Sequence, residues 1–139
     1  MNLEKPGYQE YIQKLAEVSG VEIKTFADLK EALKKRMEFF HSMGCLVSDH
    51  GLDYVMYVPA SEEEVEKIFQ GALAGAPVSK EDAAKFKTAF MLFLAPEYGE
   101  KGWVMQLHYG CKRDKNKAMY ATLGPDTGFD CISTYTPAE

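Results

Sequence analysis

The sequence is short of the features that mark several broad protein classes. It has three cysteines, Cys45, Cys111 and Cys131, an odd and sparse set. That count argues against a secreted disulfide scaffold. Positive charge is in deficit, with 16 lysines and arginines against 21 aspartates and glutamates and a net charge of -5. Such a balance speaks against a nucleic-acid partner. No apolar run approaches the roughly 20 residues that cross a bilayer, so no membrane role is expected. The opening residues Met1-Asn2-Leu3-Glu4-Lys5-Pro6 lack the apolar core of a secretory leader. No internal repeat and no low-complexity tract interrupts the 139 residues. The expectation is one soluble, cytoplasmic domain, residues 1–139, with free thiols and enough chain to bury a core.

What is present is an alternation of helical and strand patterns. Tyr8, Tyr11, Ile12 and Leu15 share one helical face, and Gly20 follows as a stop. Thr25, with Asp28 three residues on, predicts a capped helix start. Phe26, Leu29, Leu33, Met37 and Phe40 carry that helix's apolar stripe to Gly44. Residues 1–43 are therefore a helical segment. Lys30, Lys34, Lys35 and Arg36 on it read as a solvated face, because Glu31 and Glu38 interleave with them.

Residues 44–110 read as a strand-helix-helix-strand unit. Cys45-Leu46-Val47 is a short apolar run, expected to be a buried strand ending at Ser48-Asp49-His50, with Gly51 turning the chain. Tyr54–Val58 is either a short strand or an extended loop. Ser61-Glu62-Glu63-Glu64 predicts a capping box over Val65, Ile68, Phe69, Ala72 and Leu73. Ser79-Lys80-Glu81-Asp82 opens the next helix, whose stripe is Phe86, Ala89, Phe90, Phe93 and Leu94. Trp103 to Leu107 then reads as a second buried strand, running into His108-Tyr109-Gly110. Two strands joined by a long helical crossover are expected to pair in parallel, which places the chain in the α/β class. Residues 111–139 form a loop-rich tail, expected to stay structured because it keeps Met119, Tyr120, Leu123 and Phe129.

Chemistry in α/β proteins gathers at the carboxyl ends of parallel strands. Asp49 and His108 stand at those two places and are the candidate catalytic pair. His50, next to Asp49, falls on the opposite strand face and reads as structural. A competing arrangement is a Cys₂His₂ zinc module from Cys45, His50, His108 and Cys111, spaced Cys-x₄-His and His-x₂-Cys, whose ligands would have to converge tetrahedrally. No cysteine has a visible base and orienting partner for thiol catalysis.

Longer blocks carry a resemblance. They are Leu33-Lys34-Lys35-Arg36-Met37-Glu38-Phe39-Phe40, Gly44-Cys45 and Ser48-Asp49-His50-Gly51. Gly102-Trp103-Val104-Met105-Gln106-Leu107-His108 and Leu123-Gly124-Pro125-Asp126-Thr127-Gly128-Phe129-Asp130 follow in order. On these blocks the sequence resembles uronate isomerase (glucuronate isomerase), of the amidohydrolase superfamily, over nearly its whole length. The resemblance implies a middle piece of a much longer distorted (β/α)₈ barrel: two parallel strands, the helices between them and a helical insertion. It implies an aldose–ketose isomerisation of hexuronates, D-glucuronate to D-fructuronate and D-galacturonate to D-tagaturonate. The route would be proton abstraction beside a carbonyl with a divalent metal, zinc or manganese, as cofactor.

By the same resemblance Asp49 and His108 line the substrate pocket, and Arg113 binds the uronate carboxylate through its planar fork. The family's His-x-His metal motif has no counterpart among His41, His50 and His108. This chain alone is accordingly expected to bind no metal and to lack turnover. The loop departs from the family pattern, with Asp114-Lys115-Asn116 and Lys117-Ala118-Met119 after Arg113, and Cys131 where serine is common. The remaining alternative is a non-catalytic standalone module. Either way two parallel strands leave unpaired edges, so a mostly helical chain is expected that either self-associates through those edges or rearranges the strands.

Overall fold

The computed structural model describes residues 2–134. They cluster into two compact units, one of the described residues up to Val47 with Met56–Val104, the other of Ser48–Val55 with the described residues from Met105 on. The first unit is helical, with α1 (Tyr8–Ser19), α2 (Phe26–Ser42), α3 (Glu62–Leu73) and α4 (Lys80–Glu100). α1 packs on α2 and α3, α2 on α3, and α3 on α4.

Local chemistry sets where these helices begin and end. Gly20 closes α1 in the left-handed region, φ 66°, and its N–H reaches Ala16 O. That conformation disfavours any residue with a Cβ. The Thr25 side chain accepts from Asp28 N, and Asp28 returns the bond to the Thr25 amide. Ser61 and Glu64 build the same reciprocal box at α3. Ser79 accepts from Asp82 N at α4. Each such cap satisfies backbone donors that a helix start leaves unpaired. A further bond ties two elements together: the Phe26 amide donates to Glu66 Oε2 of α3 at 2.9 Å.

The core of this unit is aromatic. Phe69 and Phe86 are fully buried, their rings stacked with centroids 6.1 Å apart. Phe26 meets Phe86 edge-on at 5.3 Å, and Phe90 lies 5.9 Å from it. Leu29, Met37, Val65, Ala72 and Leu94 fill around them. Burial of each large side chain contributes roughly 1.5–3 kcal/mol. α4 continues through Pro96 to Glu100, past the last residue of the expected stripe, so that Tyr98 stacks on Trp103 at 5.6 Å. The Trp103 indole N–H donates to His41 Nδ1 at 3.0 Å. Tyr54–Val58 forms neither helix nor strand, with a bend at Tyr54, and the Val58 amide donates to the buried Thr88 hydroxyl at 2.9 Å.

The second unit holds most of β1 (Val47–Leu52) and β2 (Val104–Tyr109), a parallel pair. The chain is thus α/β and mostly helical, with two parallel strands, as expected. Two corrections concern the strands. They are not buried: Leu46, Val47 and Val104 are exposed, and so is most of β2. β1 also does not end at Asp49-His50, but runs on through Gly51 to Leu52. The apolar runs predicted burial because the sequence pattern cannot show that β1 and β2 pair only with each other among the described residues.

The tail is built differently from the expectation. β3 (Cys111–Lys112) pairs antiparallel with β4 (Cys131–Ile132), Cys111 opposite Ile132 and Lys112 opposite Cys131. Between them lies a short helix, α5 (Lys117–Leu123), capped by the Asn116 side chain and burying no residue. Met119, Tyr120 and Leu123, expected to hold the tail by packing, are exposed. Polar bonds hold it instead: Lys115 N to Phe129 O at 2.8 Å and Ser133 N to Gly110 O at 2.7 Å.

Candidate functional site

Strand alternation selects which side chains meet. Along β1, Val47, Asp49 and Gly51 are exposed, Ser48 and His50 half-buried and Leu52 buried. Asp49 and Gly51 therefore share the open face, and His50 takes the other, as its adjacency predicted. On β2 the two-residue spacing gives Gln106 and His108 a common face. The two faces coincide: Asp49 Oδ1 contacts His108 Nδ1 at 2.7 Å and accepts from Gln106 Nε2 at 3.1 Å. Asp49 and His108 remain open to solvent, 49% and 44% exposed.

These contacts favour the ionised carboxylate. The His108 hydrogen bond chiefly holds the Asp49 carboxyl below its ordinary range; partial desolvation opposes it and Gln106 adds to it. On the other face, burial lowers the His50 imidazole below its usual value, against the pull of Asp49.

Gly51 has a different reason from the one its sequence suggested. It lies inside β1 and is not among the positive-φ glycines, so no turn requires it. A Cβ built there would lie 2.7 Å from His108 Nε2 and 3.2 Å from Cε1. The glycine makes room for the imidazole. Gln106 and Gly51 are the residues that sequence reasoning missed or misread. The signal was available, since each sits two positions from a candidate on the same strand face.

Arg113 has its own surroundings. Its Nη1 donates to Asp130 Oδ2 at 2.8 Å and to Asp126 Oδ1 at 3.4 Å. Asp130 also accepts from the Asp114 amide at 3.0 Å and from the Cys111 thiol at 3.3 Å. The Asp114 amide is the largest cause of the lowered Asp130 carboxyl, followed by the Cys111 thiol; that thiol is in turn pushed up by its bond to Asp130. Asp114 and Asp126 adopt left-handed backbone, φ 55° and 59°, which aspartate tolerates better than most residues. Among the described residues Arg113 makes no hydrogen bond or ion pair with Asp49 or His108. The structure therefore joins two of the three expected site residues and holds the third in a separate acidic cradle.

The Cys₂His₂ zinc arrangement is not formed. Cys45 Sγ donates to Val47 O, Cys111 to Asp130, and His108 contacts Asp49. Among the described residues no three His, Cys, Asp or Glu side chains are grouped as a metal ion requires. The residues here do not fit a metal centre, and no chemical step is assigned to one. No helix among the described residues is long and apolar enough to cross a membrane.

The family described as UxaC, glucuronate isomerase, matches residues 1–139. The chain belongs to this family. It is 61% identical over 134 residues to the uronate isomerase of Lachnoclostridium phytofermentans, covering 96% of this chain and 29% of that protein. Against the uronate isomerase of Lachnospira eligens it is 56% identical, covering 97% of this chain and again 29% of the relative. The crystal structure of a uronate isomerase from Thermotoga maritima superposes with a TM-score of 0.87 at 31% identity, over 96% of this chain and 30% of that one. A glucuronate isomerase from Caulobacter crescentus gives a TM-score of 0.83 at 27% identity, over 97% and 28%. The chain is thus a uronate isomerase segment that spans under a third of the length of the relatives it matches.

Proposed function

We propose that this segment supplies the proton-handling pair of a hexuronate aldose–ketose isomerase. The substrates would be D-glucuronate and D-galacturonate, converted to D-fructuronate and D-tagaturonate. The observation that carries the reading is the 2.7 Å contact between Asp49 and His108 on adjacent strands. Isomerisation through an enediol needs a proton taken beside a carbonyl and protons exchanged on neighbouring oxygens. A carboxylate and an imidazole within one hydrogen bond of each other can accept and return such protons. Among the described residues Asp49 Oδ1 takes both bonds, which leaves Oδ2 for a substrate hydroxyl.

Arg113 is the residue we assign to the uronate carboxylate. Among the described residues both its ion pairs use Nη1, which leaves Nη2 and Nε for a planar carboxylate. The divalent metal, zinc or manganese, belongs in this reading to the longer protein, with ligands outside this chain. The same holds for the (β/α)₈ barrel of the amidohydrolase superfamily, whose further strands would pair with the outer edges of β1 and β2. In their absence those edges would favour self-association. A cytoplasmic location and a lack of turnover by the isolated chain complete the proposal.

The test places Asp49→Asn and His108→Asn in a full-length protein carrying this segment. Conversion of D-glucuronate should fall about 10²–10⁴-fold in kcat, the usual range for losing an acid–base group. Unchanged kcat/KM in both variants would refute the assignment.

A further inference from the structure

The contact between Asp49 and His108 depends on two residues that have no part in the chemistry just proposed. Asp49 is ionised at neutral pH, and a carboxylate oxygen only accepts. His108 Nδ1, 2.7 Å away, must therefore carry the proton of that bond. In the neutral ring the lone pair is then left on Nε2. Nε2 has no hydrogen-bond partner among the described residues, so it is the ring atom left to a sugar hydroxyl or carbonyl.

Two features keep the ring in this state. Gln106 Nε2 donates to the same Asp49 oxygen at 3.1 Å. That bond gives the oxygen that meets His108 a second donor. Gly51 leaves empty the volume that the imidazole edge occupies, since a Cβ there would come within 2.7 Å of Nε2. Because the colliding atom ends a rotatable side chain, a larger residue at 51 would displace the ring while sparing the strand. All four residues lie in one compact unit, so the arrangement is local.

We propose that Gln106 and Gly51 are positioning residues that hold His108 as its Nδ1–H tautomer against Asp49 and thereby set Nε2 as the proton-exchanging atom. The link to sugar chemistry rests on the isomerase reading above; the tautomer itself does not.

The test is long-range ¹⁵N–¹H NMR of this chain, with the His108 signals assigned by their loss in His108→Asn. In the neutral ring, Nδ1 should appear as a protonated, pyrrole-type nitrogen and Nε2 as a pyridine-type one. Gly51→Ala should convert this signature to a tautomer mixture while the far-ultraviolet circular dichroism of the helices holds. Gln106→Leu, at an exposed position, should move the Asp49 carboxyl titration upward and weaken the signature less than Gly51→Ala does. A predominant Nε2–H form in the unsubstituted chain would overturn the proposal. So would Gly51→Ala and Gln106→Leu spectra that match the unsubstituted chain. A merely structural role would move melting and leave the tautomer alone. A correct tautomer in a full-length protein that ignores D-glucuronate would sink the isomerase reading and leave this inference standing.

Discussion

The two units are held together by different physics. The first is helical, with closed caps and a core of Phe26, Phe69, Phe86, Phe90 and Leu94. The second has short strands, an uncovered helix and a set of exposed hydrogen bonds centred on Asp49 and Asp130. Apolar burial is non-directional and sums over area. Hydrogen bonds between exposed groups add little net stability, yet they fix angles and distances closely. Stability and site geometry are thus carried by different residues in this chain.

The largest effect on this division is expected from Phe86→Ala. Its ring is fully buried against three other phenylalanines, and such truncations cost about 3–5 kcal/mol. Denaturant unfolding followed through the helical signal should show this loss. A loss below about 1 kcal/mol would mean that the aromatic cluster is not the main support. Thr25→Ala comes next, at about 1 kcal/mol, because it removes the acceptor for Asp28 N. The same measurement checks it, and Thr25→Ser should restore most of the loss.

In the second unit, effects should be local. Asp130→Asn weakens the bonds from Arg113 and the Asp114 amide. Hydrogen exchange across residues 111–130 should quicken, and helical melting should stay within error of the unsubstituted chain. The smallest effect is the pH dependence of Asp49. Its folded-state titration is lowered, against about 3.9 for an unperturbed aspartate. The unfolded chain therefore binds its proton first as pH falls. The stabilising contribution is complete above about pH 4 and is lost as pH drops further, through the folded titration. Carboxyl ¹³C titration of Asp49 should show the lowered midpoint, and His108→Asn should raise it.

Much of the first unit was legible in the sequence. Thr25 with Asp28, Ser61 with Glu64, Gly20 and the apolar stripes announced their helices, because a cap or a turn is decided within four residues. The stripes were less exact at their ends: Tyr11 and Phe40 are exposed, and α4 outruns Leu94. The strands were found, but their burial was misjudged. Whether Leu46 and Val104 are covered depends on neighbours that no local pattern names. The tail was legible as ordered, though for the wrong reason, since Asp130 and paired backbone do the work assigned to Met119, Tyr120 and Leu123.

The site divides in the same way. That Asp49 and His108 carry chemistry-capable groups at strand positions, and that the chain belongs with the uronate isomerases, was readable from residue types and their order. Their meeting at one carboxylate oxygen was decided by the register of β1 against β2, a relation between segments more than 50 residues apart. The same register brought in Gln106 and turned Gly51 from a supposed turn into space for a ring. Residue order dictates what each strand can offer to either face. Only the pairing of the strands, which sums weak preferences across the fold, dictates which offers coincide.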